Sequence, residues 1–177
     1  STQIFSYDWN SDLTEMLSTG AASAGETGNI SISNHSYGII GGYLYDGSNW
    51  RWFGDGISSN SVEQAFGRYN SKSRDWDSVA HSLPYLTIFK AAGNDRPDNP
   101  SSGDSVYSPE GSFLFSYSSA SRPRGDGAYR NGYENQSYAA LAKNIITIGA
   151  VNDAVSGQSR SVNAATMSTF SCWGPTD

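Results

Sequence analysis

Short apolar runs alternate along this chain with segments of helix length, and this alternation constrains the fold more than any other feature. The strand-like runs lie at 4–7, 30–33, 85–89 and 145–151. One amphipathic helix is predicted with Asp12 as N-cap and Glu15 at capping-box spacing, and a second begins at Ser61 and resumes before Pro84. Strands separated by helices are typical of parallel sheets. We therefore predict an α/β fold, a parallel sheet with helices on both faces.

The composition is that of a folded chain with few charges. Of the 177 residues, 37% are hydrophobic and 16% are charged, which is enough apolar material for a buried core. The 11 basic and 17 acidic residues give a net charge of −6, which argues against nucleic-acid binding. No apolar run reaches the roughly 18–20 residues that span a membrane. Cys172 is the only cysteine, and we expect it to be buried.

The tetrapeptide Ala91-Ala92-Gly93-Asn94 follows the predicted strand at 85–89 almost directly. Open α/β folds place their active sites at the carboxyl ends of their strands. An asparagine at that edge can donate a hydrogen bond to a developing oxyanion, the charge that acyl transfer has to stabilise. We therefore expect Asn94 to belong to a site.

Three further segments accompany this tetrapeptide in a definite order: Asn34 to Gly38, residues 144–151, and Phe170 to Pro175. In this order the segments resemble the subtilisin-like serine peptidases. The resemblance extends over nearly all of residues 1–177, and it is poorest at 43–56 and 95–133. It implies a subtilisin-like fold in which the chain is the central segment of a peptidase domain, with a loop insertion at about 95–133.

The resemblance also implies roles for the matching residues. Asn94 would be the oxyanion donor. The substrate-binding residues would be Ser36, Tyr37, Gly38, Ala91, Ala92, Gly93, Ala139 and Ala140. Of these, the segment 36–38 would pair with the main chain of a peptide substrate and wall the primary pocket. The small residues at 91–93 would form the opposite wall, and those at 139–140 would lie toward the floor.

The motifs of a Ser-His-Asp triad are not found in these residues. The resemblance places the Asp and His motifs before Ser1 and the Ser motif after Asp177, so we expect this chain alone to be inactive. His35 does not supply the base for Ser36, because neighbouring strand residues point to opposite faces. The resemblance further implies a serine endopeptidase parent, secreted or at the cell surface, acting on peptide or protein substrates.

Three hypotheses stay open. Asp95, Asp98 and Asp104 offer oxygen ligands for calcium, although their spacing matches no EF-hand; no other cofactor is expected. The aromatic segment 43–53 either holds a loop against the domain or belongs to an alternative in which the chain is a non-catalytic subtilase-like protein or an aromatic-rich module that binds peptides or sugars. The predicted strand at 4–7 would leave a free sheet edge through which the chain could dimerise.

Overall fold

The computed structural model describes residues 3–174, apart from the side chains of residues 129 and 130, so Pro175 of the last sequence motif lies outside it. Two α-helices are present in this range: α1 (Asp12–Thr19) and α2 (Ser71–Ser82). The strands are β1 (Ile32–His35), β2 (Tyr43–Tyr45), β3 (Trp50–Trp52), β4 (Thr87–Ala91), β5 (Ser105–Tyr107), β6 (Phe113–Ser116), β7 (Ile146–Ile148), β8 (Val155–Ser156) and β9 (Ser159–Arg160). None of the helices in the described range is long and apolar enough to span a membrane.

Strand β4 is the centre of a three-stranded parallel sheet with the order β1-β4-β7. His35 of β1 lies opposite Lys90 of β4, and Ala91 of β4 lies opposite Ile148 of β7. All three strands therefore end at the same edge of the sheet. The predicted α/β class and parallel sheet are confirmed.

Both α-helices pack against one face of this sheet. They share a single apolar cluster with β4, made of Met16, Trp76, Val79, Leu83, Leu86, Ile88 and Ala142. On the opposite face Ile32 is 67% exposed, and Ile146 and Ile148 are also exposed. Helices on both faces, the finer part of the prediction, are thus not confirmed.

Helix α2 begins later than its amphipathic pattern predicts. The Asn70 side chain caps it by accepting from the backbone N–H groups of Lys72 and Ser73, and the Ser73 hydroxyl oxygen accepts in turn from the Asn70 backbone N–H. The predicted helix start at Ser61 is wrong, because Gly67 has a φ of +68° that interrupts any helix running through it. The helix ends just before Pro84, as predicted.

The N-terminal elements also depart from their prediction. Helix α1 begins at Asp12 after Ser11, and the capping bond expected from Asp12 is absent because its carboxylate accepts from the Tyr37 hydroxyl instead. The strand expected at 4–7 is wrong, since residues 3–8 form neither helix nor strand. The edge strands of the parallel sheet are β1 and β7, so a dimer through residues 4–7 has no strand to form it. Strands β1 and β4 each begin two residues later than expected.

A second sheet, with the order β2-β3-β5-β6, joins the two segments that fit the sequence resemblance least. Strands β3 and β5 pair in parallel, with Trp50 opposite Val106, and Val106 in turn lies opposite Phe115 of β6. The section 95–133, which was expected as a loop insertion, contributes β5, β6 and a 3₁₀ helix (Asp126–Gly132). A second buried cluster holds this sheet together, made of Tyr43, Trp52, Val106, Phe115 and Tyr117.

The second core can be tested with two neighbouring phenylalanines on β6. Phe115 is 1% exposed and Phe113 is 58% exposed. We expect Phe115→Ala to lower the free energy of unfolding by about 3–5 kcal/mol, because it leaves a cavity in the cluster. Phe113→Ala, the matched control, should cost about 1 kcal/mol or less. Urea unfolding measures both, and equal costs would contradict the assigned core.

Candidate functional site

The carboxyl ends of β1, β4 and β7 border a pocket of about 250 Å³. Five of the residues singled out from the sequence line it: Ser36, Ala91, Ala92, Gly93 and Asn94. The pairing of β4 with β7 continues past the strand, because the Ala92 N–H donates to the Ile148 carbonyl at 2.9 Å. The structure thus brings the end of β1 and the whole 91–94 tetrapeptide to one site.

Residues from two further segments complete the pocket, and the sequence had marked these segments only as motif blocks. They are Ile148 at the end of β7, Gly149 and Ala150 directly after it, and Phe170 with Ser171. The Ala150 N–H donates to the Ser171 hydroxyl at 3.0 Å, which joins these two segments to each other. Four separate stretches of chain therefore meet in front of β4.

Gly93 turns the chain at the end of β4. Its φ is +113°, and a Cβ there would lie 3.0 Å from the Cys172 Sγ atom, so only glycine fits. The Cys172 N–H donates to the Gly93 carbonyl at 3.1 Å. Cys172 is 2% exposed, and burial raises the pKa of its thiol to about 12. The expected packing role of Cys172 is confirmed, because a thiol that keeps its proton at neutral pH is a poor nucleophile.

Asn94 follows this turn and lies exposed at the pocket. Its side-chain amide makes no hydrogen bond with any other residue in the described part of the chain. Both N–H groups of the amide are consequently open to a ligand, as an oxyanion donor requires.

The segment 36–38 divides between two sides of the sheet. Ser36 lines the pocket, whereas Tyr37 turns toward the helices, where its hydroxyl donates to Asp12 Oδ2 at 2.7 Å. Neither Tyr37 nor Gly38 lines the pocket. The Thr87 N–H donates to the Ser31 carbonyl, so the main-chain groups of the odd-numbered residues of β1 face β4. The main-chain groups of Asn34 consequently face the open edge of β1.

Ala139 and Ala140, expected at the pocket floor, do not line this pocket. They lie in a 3₁₀ helix (Tyr138–Leu141) that contacts α2 and β4. The Ala140 carbonyl accepts from the Thr147 hydroxyl at 2.7 Å, which holds the 3₁₀ helix on the helix-covered side of β7.

Two polar residues that the sequence did not single out as site residues fix the C-terminal segment against the pocket. Arg96 donates from Nε to the Ser171 carbonyl at 2.8 Å and from Nη2 to the Ser168 carbonyl at 3.0 Å. Its guanidinium also lies 3.9 Å from the centre of the Trp173 ring. Asn135, 1% exposed, accepts from the Trp173 N–H at 2.7 Å. The segment containing Ser171 and Cys172 is therefore bonded to Arg96, in the loop that follows Asn94, and to Asn135.

A group of carboxyls lies beyond the pocket. Burial raises the pKa of Asp95 and of Asp98 to about 6, and the charge of Asp98 adds to the effect on Asp95. Asp126 is 3% exposed, and burial raises its pKa well above the usual range, although its carboxylate accepts from the Tyr43 N–H at 2.9 Å. These groups hold protons more strongly in the folded protein than in the unfolded chain.

Asp104, the third residue of the calcium hypothesis, is engaged elsewhere: it accepts from the Ser101 N–H at 2.8 Å. Across the residues that the structure describes, no group of three or more His, Cys, Asp or Glu side chains is placed to hold a metal ion. Calcium binding stays a prediction.

Comparison of the chain with protein-family models, with curated proteins and with solved structures gave no match. The function is accordingly inferred from the residues and their geometry.

The raised pKa of Asp98 predicts a pH-dependent stability. An unfolded aspartate has a pKa of about 3.9, and the folded value is about 6. Asp98 therefore contributes stability that is fully present below about pH 4 and is lost as the pH rises through 6. Asp98→Asn removes this contribution, so the unfolding free energy of the variant relative to the parent should increase from about pH 4 to about pH 7.

Chemical unfolding at a series of pH values measures this difference. Asp75→Asn, at an exposed position of α2, is the control for the loss of one charge. A difference between the Asp98 variant and the parent that stays constant with pH would contradict the assignment.

Proposed function

We propose that these residues form the oxyanion-bearing and substrate-binding part of a subtilisin-like serine endopeptidase, an exported enzyme that cleaves peptide bonds by acyl-enzyme chemistry. One observation carries this proposal. The segments that the sequence resemblance names, which are far apart along the chain, meet at one pocket in front of an asparagine whose amide is free. The glycine turn at Gly93 leaves that amide exposed at the pocket.

The geometry supports separate roles for the edge of β1, which would bind the peptide, and for Asn94, which would bind the oxyanion. A peptide lying along the open edge of β1 can pair with the main chain of Asn34 and Ser36, as an added strand. Its scissile carbonyl would then face the pocket, where the Asn94 Nδ2 group donates to the oxygen as negative charge develops on it. The nucleophile and the general base would come from triad motifs that these residues do not contain, so the activity belongs to a chain that carries those motifs as well.

The alternative, an aromatic-rich module that binds peptides or sugars, receives less support. Tyr43 and Trp52 of the aromatic segment are almost completely buried in the second core, and Trp50 packs against that core. The Tyr43 hydroxyl also donates to the Pro123 carbonyl at 2.9 Å. These rings hold the second sheet together, which is the packing role considered from the sequence.

Replacement of the oxyanion donor tests the proposal directly. In a chain that also carries the Asp, His and Ser motifs, Asn94→Ala should lower kcat by about 10²–10³-fold, a magnitude measured on subtilisin itself, with little change in KM. The exposed Asn60, which does not line this pocket, provides a matched control as Asn60→Ala. Steady-state cleavage of a peptide substrate gives both constants, and an unchanged kcat for the Asn94 variant would refute its assigned role.

The isolated 177-residue chain gives a second test. A fluorophosphonate reacts with a serine only when a base activates it. Among the described residues, Ser33 donates to His35 Nε2, but neither residue lines the pocket that holds Asn94. We expect no labelling above the level of the heat-denatured chain, with an active serine hydrolase as positive control. Stoichiometric labelling would show that a serine of this chain is already activated, contrary to the proposal.

A further inference from the structure

A lysine is buried directly behind the proposed substrate-binding segment. Lys90 is 3% exposed, and its side chain lies on the helix-covered side of β4. The ammonium donates to the Tyr37 carbonyl and, at 3.5 Å, to the His35 carbonyl. It also lies 4.1 Å from the centre of the Tyr37 ring and 5.5 Å from that of Trp76.

A chain of hydrogen bonds surrounds this ammonium. The Tyr37 hydroxyl donates to Asp12 at 2.7 Å, so its oxygen accepts from His35 Nδ1 at 2.6 Å, and His35 Nε2 is left to accept from the Ser33 hydroxyl at 2.6 Å. Burial first, and then the charge of Lys90, lowers the pKa of His35 to about 4. His35 is thus neutral at physiological pH, with one nitrogen donating and the other accepting.

Stability alone does not explain a lysine at this position. Burial lowers the pKa of Lys90 to about 8, and the charge of Asp12 offsets that effect only in part. Desolvating an ammonium is costly, whereas an apolar side chain of similar length would fill the same space without that cost. What the lysine adds is a set of strong donors aimed at two backbone carbonyls.

The Tyr37 carbonyl lies beyond the part of β1 that the sheet itself holds. Strand β1 ends at His35, and residues 36–38 make no backbone-to-backbone hydrogen bond with the rest of the described chain. The His35 carbonyl faces β4 within the ladder, and Lys90 holds the Tyr37 carbonyl on the same side, so the main chain of Ser36 between them faces the open edge. The lysine therefore replaces the missing ladder at the point where the proposed peptide would pair.

We propose that Lys90 is a positioning residue whose ammonium keeps residues 36–38 extended, so that the main chain of Ser36 is presented to an incoming peptide strand. This inference deepens the proposed function and rests on it for the identity of the ligand. The ordering of residues 36–38 by Lys90 can be measured without any substrate.

Lys90→Met is the first test, with Lys143→Met as matched control, because Lys143 also lies over a tyrosine ring but is exposed. We expect the Lys90 variant to remain folded while the NMR order parameters of residues 36–38 fall from about 0.85 to below about 0.6, with those of β4 unchanged. The Lys143 variant should leave all of them unchanged. A folded Lys90 variant with an ordered 36–38 segment overturns the proposal.

The unaltered chain provides a second test that holds even if the Lys90 variant fails to fold. Raising the pH from about 6.5 to about 9.5 carries Lys90 through its pKa of about 8 and removes its charge-assisted bonds. The other titratable groups facing it are His35 on β1, Asp12 and Glu15 on α1, and Tyr37. His35 titrates below this range, and the pKa of Tyr37 is raised above it by burial and by Asp12. The order parameters at the Cα positions of residues 36–38 should fall as the pH rises. Order parameters that stay constant over this pH range would overturn the proposal.

Kinetics then connect this order to substrate. In a chain that carries the triad motifs, Lys90→Met should raise KM for an extended peptide about tenfold, because binding must now order the segment, and leave kcat almost unchanged. A lost kcat with an unchanged KM would contradict the positioning role. If every such chain failed to cleave peptides, the proposed function would fall, and the order parameters would still decide whether Lys90 holds the segment.

Discussion

The hydrogen bonding of β4 on both of its edges fixes the rest of the candidate site. Its register places Ile88, 1% exposed, in the helix-covered core, and Phe89 on the other face. A slip of one residue would exchange these two faces and expose Ile88, which the packing energy of the core opposes. Because Asn94 follows β4 after a single tight turn, the packing that fixes β4 in the core also fixes the position of Asn94.

The sequence predicted the parallel sheet because strand ends and apolar runs are local signals. It failed where tertiary contacts override local pattern. The amphipathic stripe from Ser61 continues through Gly67, whose positive φ is visible only in the folded chain. The run at 4–7 has strand-forming residues but no partner, and a strand without a partner is not stable. Bounds shifted by two residues because pairing, not composition, decides where a strand begins.

The second sheet shows a further limit of prediction from the sequence. Its strands are three or four residues long, too short for a periodic signal, and the parallel pairing of Trp50 with Val106 joins residues far apart in the chain. The position of Asn94 at the pocket was predictable because it depends on the strand just before it. Arg96, Asn135 and Lys90 were not, since each acts by bonding a segment distant in sequence. The orientation of Tyr37 could have been predicted from the sequence, because side chains alternate along a strand and Ser36 and Tyr37 therefore point to opposite sides.

Ionisable side chains of both signs flank the end of β4. The free-energy cost of burying them indicates a role other than stability. Lys90 lies behind the 36–38 segment, and the carboxyls of Asp95, Asp98 and Asp126 lie beyond the turn at Gly93. An ionised Asp95 next to Asn94 would disfavour a developing oxyanion, and the raised pKa of Asp95 lessens that repulsion as the pH falls. Under the proposed function, the positive charges of Arg96 and Lys90 would act in the opposite sense. A chain selected for stability alone would have apolar residues at the buried positions, so the retention of these charges fits a strand end organised to place a ligand.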